Sequence, residues 1–127
     1  MKKKGFTLIE LVMVIVILGI LAAMVLPRFI DLQSKARESA TRGSLGAVRA
    51  AVAINYASRA IEGTQPYIPT TIDATMFQDG QIPLDQVNNS SGVVVTTGTP
   101  STAAGGGWFY DSVNGRSWVN DSRYTTW

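Results

Sequence analysis

The chain contains no cysteine and no histidine among its 127 residues. Without cysteine it forms no disulfide, so the stability of its folded part must come from packing. The two absences also remove the usual soft metal ligands and the commonest catalytic base, and no Ser-His-Asp, Cys-His or zinc constellation can be assembled. The composition therefore argues against an enzyme and predicts neither a metal site nor a cofactor.

Charge is almost missing between Phe6 and Leu26, where Glu10 is the single ionisable side chain in 21 residues. At about 1.5 Å per residue this stretch reaches roughly 32 Å as a helix, enough to cross a bilayer core. The lysines at positions 2–4 come before the apolar run and place the N-terminus in the cytoplasm by the positive-inside rule. The sequence predicts a spanning anchor with residues beyond Pro27 outside the cytoplasm.

Basic residues are in only slight excess, and the excess lies in the leader. The net charge is +2, yet three of the eleven basic residues are Lys2, Lys3 and Lys4, and the remaining eight stand against nine acidic residues. Bulk charge therefore gives no support for nucleic-acid binding. Glu10 is the unusual charge, because an ionisable group at the centre of an apolar span costs about 2.5–3.5 kcal/mol. Either it lies in the headgroup layer of an ordinary signal anchor, or a partner pairs with it.

Residues 4–10, K-G-F-T-L-I-E, resemble the processing motif of type IV prepilins and type II secretion pseudopilins. The resemblance implies that a membrane-embedded prepilin peptidase and methyltransferase cuts between Gly5 and Phe6 and methylates the new amine of Phe6. It implies that Glu10 is needed for assembly, and that Gly19 and Pro27 bound a region where the helix kinks or unwinds. P-R-F-I-D-L, from Pro27, is similar to mannose-sensitive-haemagglutinin-type pilins.

A helix is predicted to continue after Pro27 to about Ile61, with Gly63 as its stop. It has a stripe of mainly small apolar residues at spacings of three and four: Leu32, Ala36, Ala40, Gly43, Ala47, Ala50, Ile54, Ala57 and Ile61. A second stripe on a neighbouring face comprises Leu45, Val48, Val52 and Tyr56. The stripes form either one wide core face or two faces with separate partners, the head sheet and other subunits. Acid-first pairs at i,i+4, Asp31–Lys35 and Glu38–Arg42, mark the solvated face.

The remaining residues predict a small head. A short helix is expected near Ile72–Phe77, a strand within Ser91–Thr97, and a flexible loop over GTPSTAAGGG from Gly98. Asn114-Gly115 predicts a tight hairpin between aromatic-rich strands over 108–120. The expected fold is α+β, a long N-terminal helix packed on a small antiparallel sheet, as in pilins. The expected segments are leader 1–5, transmembrane and filament-core helix 6–27, amphipathic half of the same helix 28–62, and head 63–127.

The predicted function is that of a structural pilus subunit, held first as a single-pass precursor in the bacterial inner membrane and then polymerised into an extracellular filament. The resemblance implies as partners other copies of the chain, the prepilin peptidase, the assembly platform and membrane lipid. A pseudopilin of a type II secretion system, in a periplasmic pseudopilus, is one alternative. A minor pilin acting as an adhesin or DNA-capture module is another, with Arg116, Arg123, Tyr124 and Trp127 as candidates. Asp111, Asn114 and Asp121 are oxygen donors that suit calcium or, more simply, turns.

Overall fold

The computed structural model describes residues 5–98, 105–124 and 126–127. A single helix, α1, runs from Leu8 to Glu62 and includes Pro27. It ends as predicted at Gly63, whose φ of 68° suits the residue that follows a helix, and the Thr64 amide donates to the Arg59 carbonyl. The kink at Pro27 stays a prediction.

The chain divides into two compact units, residues 1–35 and residues 36–127. Every described side chain of the first unit is exposed. The second unit holds the hydrophobic core, in which α1 contributes Leu45, Val48 and Val52 and the sheet contributes Trp108, Tyr110 and Val119. The α+β class is confirmed, and the core belongs to the second unit.

The two stripes on α1 have different environments. Leu45, Val48 and Val52 of the second stripe are buried in the core, although Tyr56 at its end stays 47% exposed. All the residues of the small-residue stripe are exposed. At 3.6 residues per turn the two stripes lie on nearly opposite sides of the helix, so the neighbouring-face assignment and the interpretation as one wide core face are wrong.

The head sheet has three strands in the order β1 (Val93–Thr96), β2 (Trp108–Asp111) and β3 (Arg116–Val119). Strands β2 and β3 are antiparallel, as the hairpin predicted, and Phe109 pairs with Trp118. Strand β1 runs parallel to β2, with Val93 opposite Trp108, so the expectation of an antiparallel sheet throughout is wrong.

The hairpin turn also differs from the prediction. Four residues, 112–115, join β2 to β3, and only Gly115 of the predicted pair has positive φ, at 66°. The Gly115 amide donates to the Asp111 carbonyl, while the Asp111 carboxylate accepts from the amides of Val113 and Asn114. The side chain of Asp111 therefore stabilises a wider turn, and Asn114 needs no left-handed conformation.

Two of the glycines before β2 are buried and packed against neighbouring segments. Gly106 and Gly107 are buried, with φ of 66° and 81°. The Gly107 amide donates to Asp85 Oδ2, and its carbonyl accepts from the Asn120 amide. Residues 105–107 form neither helix nor strand, as predicted, although two of them are buried; residues 99–104 of the predicted loop lie outside the described part of the chain.

The segment between α1 and β1 is pinned to the core by polar contacts. Its one helical turn, Ala74–Met76, falls within the predicted Ile72–Phe77 region. The buried carboxylate of Asp85 accepts from Thr41 Oγ1 on α1, from the Val87 amide and from Asn88 Nδ2. Its four donors, counting Gly107, compensate the cost of burying a charge.

The residues after β3 contact α1 near Glu38 and Arg42. The Tyr124 hydroxyl donates to Glu38 Oε1 at 2.7 Å, and the Arg42 guanidinium lies 4.1 Å from the centre of the Trp127 ring. Among the described residues the single ion pair is Arg123–Asp121, so the expected pairs Glu38–Arg42 and Asp31–Lys35 are not formed. Glu38 and Arg42 instead fasten the chain end, in a protein without disulfides.

Candidate functional site

The N-terminus of α1 is closed by a hydrogen-bonded pair, Thr7 and Glu10. Glu10 Oε2 accepts from the Thr7 amide at 2.8 Å and from the Thr7 hydroxyl at 2.7 Å. The Glu10 amide in turn points to Thr7 Oγ1 at 3.4 Å. This is a capping box, in which residues three apart satisfy amides that the first helical turn leaves without partners. The Thr-x-x-Glu spacing of Thr7 and Glu10 is the sequence signal for this motif.

The Glu10 carboxylate has neutral donors and no cation. Within residues 5–98, 105–124 and 126–127, no basic side chain forms an ion pair with it. The residue is exposed and stands at the head of an apolar helix. In such surroundings a positive charge brought close to Glu10 would interact more strongly than in bulk water.

An apolar surface without a partner surrounds this carboxylate. The large apolar side chains from Phe6 to Leu26 are exposed by 41% at Val12 to 87% at Phe6. The helix is long and apolar enough near its N-terminus to cross a membrane. A surface of this size does not remain in water, and either lipid or other apolar helices must cover it.

The other predicted site residues are Gly5, Phe6, Gly19 and Pro27. Their positions are compatible with the predicted roles, and the roles themselves stay predictions. Gly5 and Phe6 are exposed and precede the first helical residue, so the peptide bond between them lies in non-helical chain. Gly19 and Pro27 both lie inside α1. Pro27 supplies no amide hydrogen to the helix, and Gly19 lowers helix stability by about 1 kcal/mol relative to alanine.

The candidate calcium donors serve the fold in the described structure. Asp111 is 1% exposed, and its carboxylate holds the hairpin turn, where Asn114 Nδ2 donates to Asp111 Oδ2 at 2.7 Å. This bond is the main reason that the pKa of Asp111 is lowered. Asp121 is engaged by Arg123 and Asn88, and Arg123 holds its pKa well below the usual range. No group of three acidic side chains occurs in the described ranges.

The candidate adhesive residues do not form one exposed patch. Tyr124 is buried at 8% exposure and Arg123 is paired with Asp121. Arg116 and Trp127 line a common cavity with Arg49, a residue that the sequence did not single out. Arg49 lies on α1 beside the core-facing residue Val48, and helical periodicity alone cannot tell which strand end such a side chain meets.

Comparison with known proteins gives a consistent set of similarities. Residues 1–26 match the family model described as the prokaryotic N-terminal methylation motif. The chain is 54% identical over 54 residues to the type IV narrow pilus major component PilA5 of Thermus thermophilus, covering 42% of this chain and 47% of that protein. It is 52% identical over 50 residues to the type IV major alpha-pilin of Moraxella bovis, covering 39% and 31%.

A secretion protein is similar over a stretch of comparable length. The chain is 43% identical over 51 residues to the type II secretion system core protein G of Pseudomonas aeruginosa, covering 40% of this chain and 36% of that protein. The chain thus matches less than half the length of each of these relatives. No solved structure matches the chain.

Proposed function

We propose, because this chain belongs to the superfamily of type IV pilins and type II secretion pseudopilins, that it is a structural subunit of a type IV pilus. The observation that carries the proposal is the N-terminal part of α1, an exposed apolar surface with one carboxylate, Glu10, at its head. A surface that suits lipid before assembly also suits identical helices after it. The same helix surface would therefore serve the subunit in the inner membrane and in the filament.

Assembly begins, in this proposal, with cleavage between Gly5 and Phe6 by the prepilin peptidase and with methylation of the Phe6 amine. The resulting ammonium group of one subunit pairs with Glu10 of its neighbour at the inner-membrane assembly platform. At an effective dielectric constant near 20, charges about 4 Å apart attract by roughly 4 kcal/mol before desolvation is deducted. The pair sets the register, and burial of the apolar helix surfaces supplies most of the cohesion.

Thr7 has a supporting role in this scheme. While a subunit waits in the membrane, the Thr7 amide and hydroxyl satisfy the Glu10 carboxylate, which lowers the cost of keeping it in an apolar environment. These donors are neutral, so an ammonium group from a neighbouring subunit can still add a charge-assisted bond. The cap thus holds the acid in place without neutralising it.

The test separates the charge of Glu10 from its capping function. Glu10→Gln keeps an oxygen that can accept from the Thr7 amide but removes the charge, whereas Glu10→Ala removes both. We expect both variants to be inserted and processed but to yield no filaments in electron micrographs of sheared cells. The matched control is Glu62→Gln, at the other end of α1. Normal filaments from Glu10→Gln would overturn the charge-pairing proposal.

The cleavage site has a separate test. Gly5→Val places a branched side chain at the residue before the proposed cut, where the expected peptidase takes glycine. We expect intact-mass analysis to find the full precursor for this variant and, for the unaltered chain, a product that begins at methylated Phe6. A mature-sized product from Gly5→Val would place the cut elsewhere.

A pseudopilin of a type II secretion system is the second candidate, favoured by the similarity to the core protein G. Both candidates use the same N-terminal helix, so Glu10 variants do not distinguish them. The location of the processed chain does. Abundant processed subunit in sheared surface filaments supports the pilus, whereas processed subunit confined to the cell envelope supports the pseudopilus.

A further inference from the structure

A cavity of about 400 Å³ opens beside β3, the edge strand of the head sheet. Its walls carry two arginines and two tryptophans and no acidic residue: Arg49, Gly115, Arg116, Ser117, Trp118 and Trp127. Cavities of about 300–1,000 Å³ with a few convergent polar groups are typical of small-molecule sites. The cavity lies apart from the proposed assembly residues, Glu10 and the apolar helix surface, and of its two tryptophans only Trp127 packs against the core.

The two arginines make the cavity a site for an anion. Arg49 is fixed in place, because its Nε and Nη2 donate to the Ser117 carbonyl at 3.2 and 3.0 Å, and Nη2 also donates to the Trp127 main-chain oxygen. The Arg116 side chain is exposed and forms no ion pair within the described part of the chain. The carboxylate of its cross-strand neighbour Asp111 accepts from the hairpin turn instead of pairing with the guanidinium.

The aromatic walls are held before any ligand arrives. The Trp127 ring lies 4.1 Å from the Tyr124 ring, centre to centre, and the Arg42 guanidinium covers it at 4.1 Å. Trp118 is half-buried opposite Phe109 of β2. The Trp127 ring is thus already in contact with two neighbours, and the flat apolar surface that remains for a ring-shaped ligand is that of Trp118.

We propose that this cavity binds one acidic sugar residue of a polysaccharide, with the apolar face of the sugar ring against Trp118 and its carboxylate on Arg116. A nucleic acid fits less well, because a single strand needs a basic groove that follows several phosphates. The adjoining cavity shares Arg49 but is otherwise lined without charge, by Val52, Ala53, Tyr56, Ile68, Pro69, Asn114 and Gly115. One guanidinium that is unpaired among the described residues, beside an aromatic wall, suits a single carboxylated ring.

In the experiment, the full chain in detergent micelles is titrated with trigalacturonate, and binding is monitored by the fluorescence of the tryptophans. Trp118 and Trp127 line the cavity, whereas Trp108 is fully buried, so a ligand should change the signal of the first two. We expect saturable binding that becomes about tenfold weaker in Arg116→Gln, the order expected for one charge-assisted hydrogen bond. The matched control is Arg37→Gln, an exposed arginine of α1 outside the cavity, which should bind as the unaltered chain does.

Two further measurements identify the ligand class. Maltotriose tests the need for the carboxylate, and oligothymidylate tests the nucleic-acid alternative. Weak or no binding of both, together with weaker trigalacturonate binding by Trp118→Leu, supports the acidic-sugar site. Equal binding of maltotriose, tighter binding of oligothymidylate, or an unchanged affinity in Arg116→Gln would each overturn it. The titration needs no filament, so its failure is separate from failure of the assembly proposal.

Discussion

Gly107 is the glycine at which neighbouring atoms leave the least room for a side chain. A Cβ built on it would lie 2.2 Å from the Gly92 carbonyl oxygen, and its φ of 81° disfavours any other residue. We expect Gly107→Ala to lower the stability of the head by about 3 kcal/mol or more, since overpacking and backbone strain add. Thermal unfolding of the full chain in micelles, followed by near-ultraviolet circular dichroism, should show a midpoint about 10 °C lower or more.

The control for Gly107 is a glycine with open space around it. Gly46 lies in α1 and has no atom within 4 Å of a built Cβ. Gly46→Ala should leave the midpoint unchanged or raise it, because alanine favours a helix interior by roughly 1 kcal/mol. A stable Gly107→Ala chain would mean that β1 and β2 can separate at Gly92 without cost, contrary to the close approach described above.

Thr41 is a buried residue that stabilises the head through hydrogen bonds rather than through apolar packing. Its buried hydroxyl donates to Asp85 Oδ1 and accepts from the amides of Gln86 and Val87. Thr41→Val keeps the volume but leaves these groups without their partner, and we expect a loss of about 2 kcal/mol. Thr41→Ser keeps the hydroxyl and loses only a methyl group, about 0.8 kcal/mol. Chemical denaturation should rank serine above valine, and the reverse order would show that packing, not hydrogen bonding, dominates here.

At the scale of the element, the β2–β3 turn depends on one carboxylate. Hydrogen bonds from the Asn114 side chain and from the Val113 and Asn114 amides lower the pKa of Asp111 from its usual 3.8. The unfolded chain therefore binds this proton more readily, and the stabilisation is fully present above about pH 4 and is lost as the pH falls through the folded-state pKa. We expect the melting temperature of Asp111→Asn to fall less between pH 5 and pH 2 than that of the unaltered chain, and Asp31→Asn, on the exposed helix, to follow the unaltered chain.

The elements differ in how far local sequence determines them. The span of α1 and its stop at Gly63 follow from periodicity and a glycine, both of which act locally. The register of the hairpin does not, because a two-residue turn at Asn114-Gly115 would put Trp118 opposite Asp111, whereas the four-residue turn puts it opposite Phe109. The parallel pairing of β1 with β2 joins strands that are distant in the sequence, and no local pattern encodes it. Gly106 and Gly107 have the composition of a flexible linker, yet contacts with Asn88 and Gly92 make them tight. Whether these glycines are loosely or closely packed therefore depends on distant segments of the same chain and cannot be read from the glycines themselves.

At the scale of the whole molecule, the two sides of α1 after Lys35 differ in their surroundings. The side with Val48 is buried on the sheet, and Val48 is 0% exposed. The opposite side presents the small-residue stripe, which is exposed throughout the head unit. Periodicity revealed both stripes, but it could not assign them, because an apolar stripe reads the same whether its partner is the same chain or another copy. We propose that the exposed stripe packs against neighbouring subunits in the filament.

Substitutions on the two sides should therefore have opposite effects. Ala47→Arg, in the exposed stripe, should change the free energy of unfolding by less than about 0.5 kcal/mol and yet abolish filaments, because a long charged side chain prevents close helix approach. Val48→Ala should cost about 2–3 kcal/mol in the core but leave filaments intact below its melting temperature. Ala60→Arg is the matched control, since Ala60 is also exposed on α1 but lies about a quarter turn from the stripe. If Ala47→Arg and Ala60→Arg both assembled normally in sheared-cell micrographs, the exposed stripe would not be a subunit contact, and cohesion would rest on the Phe6–Leu26 surfaces alone.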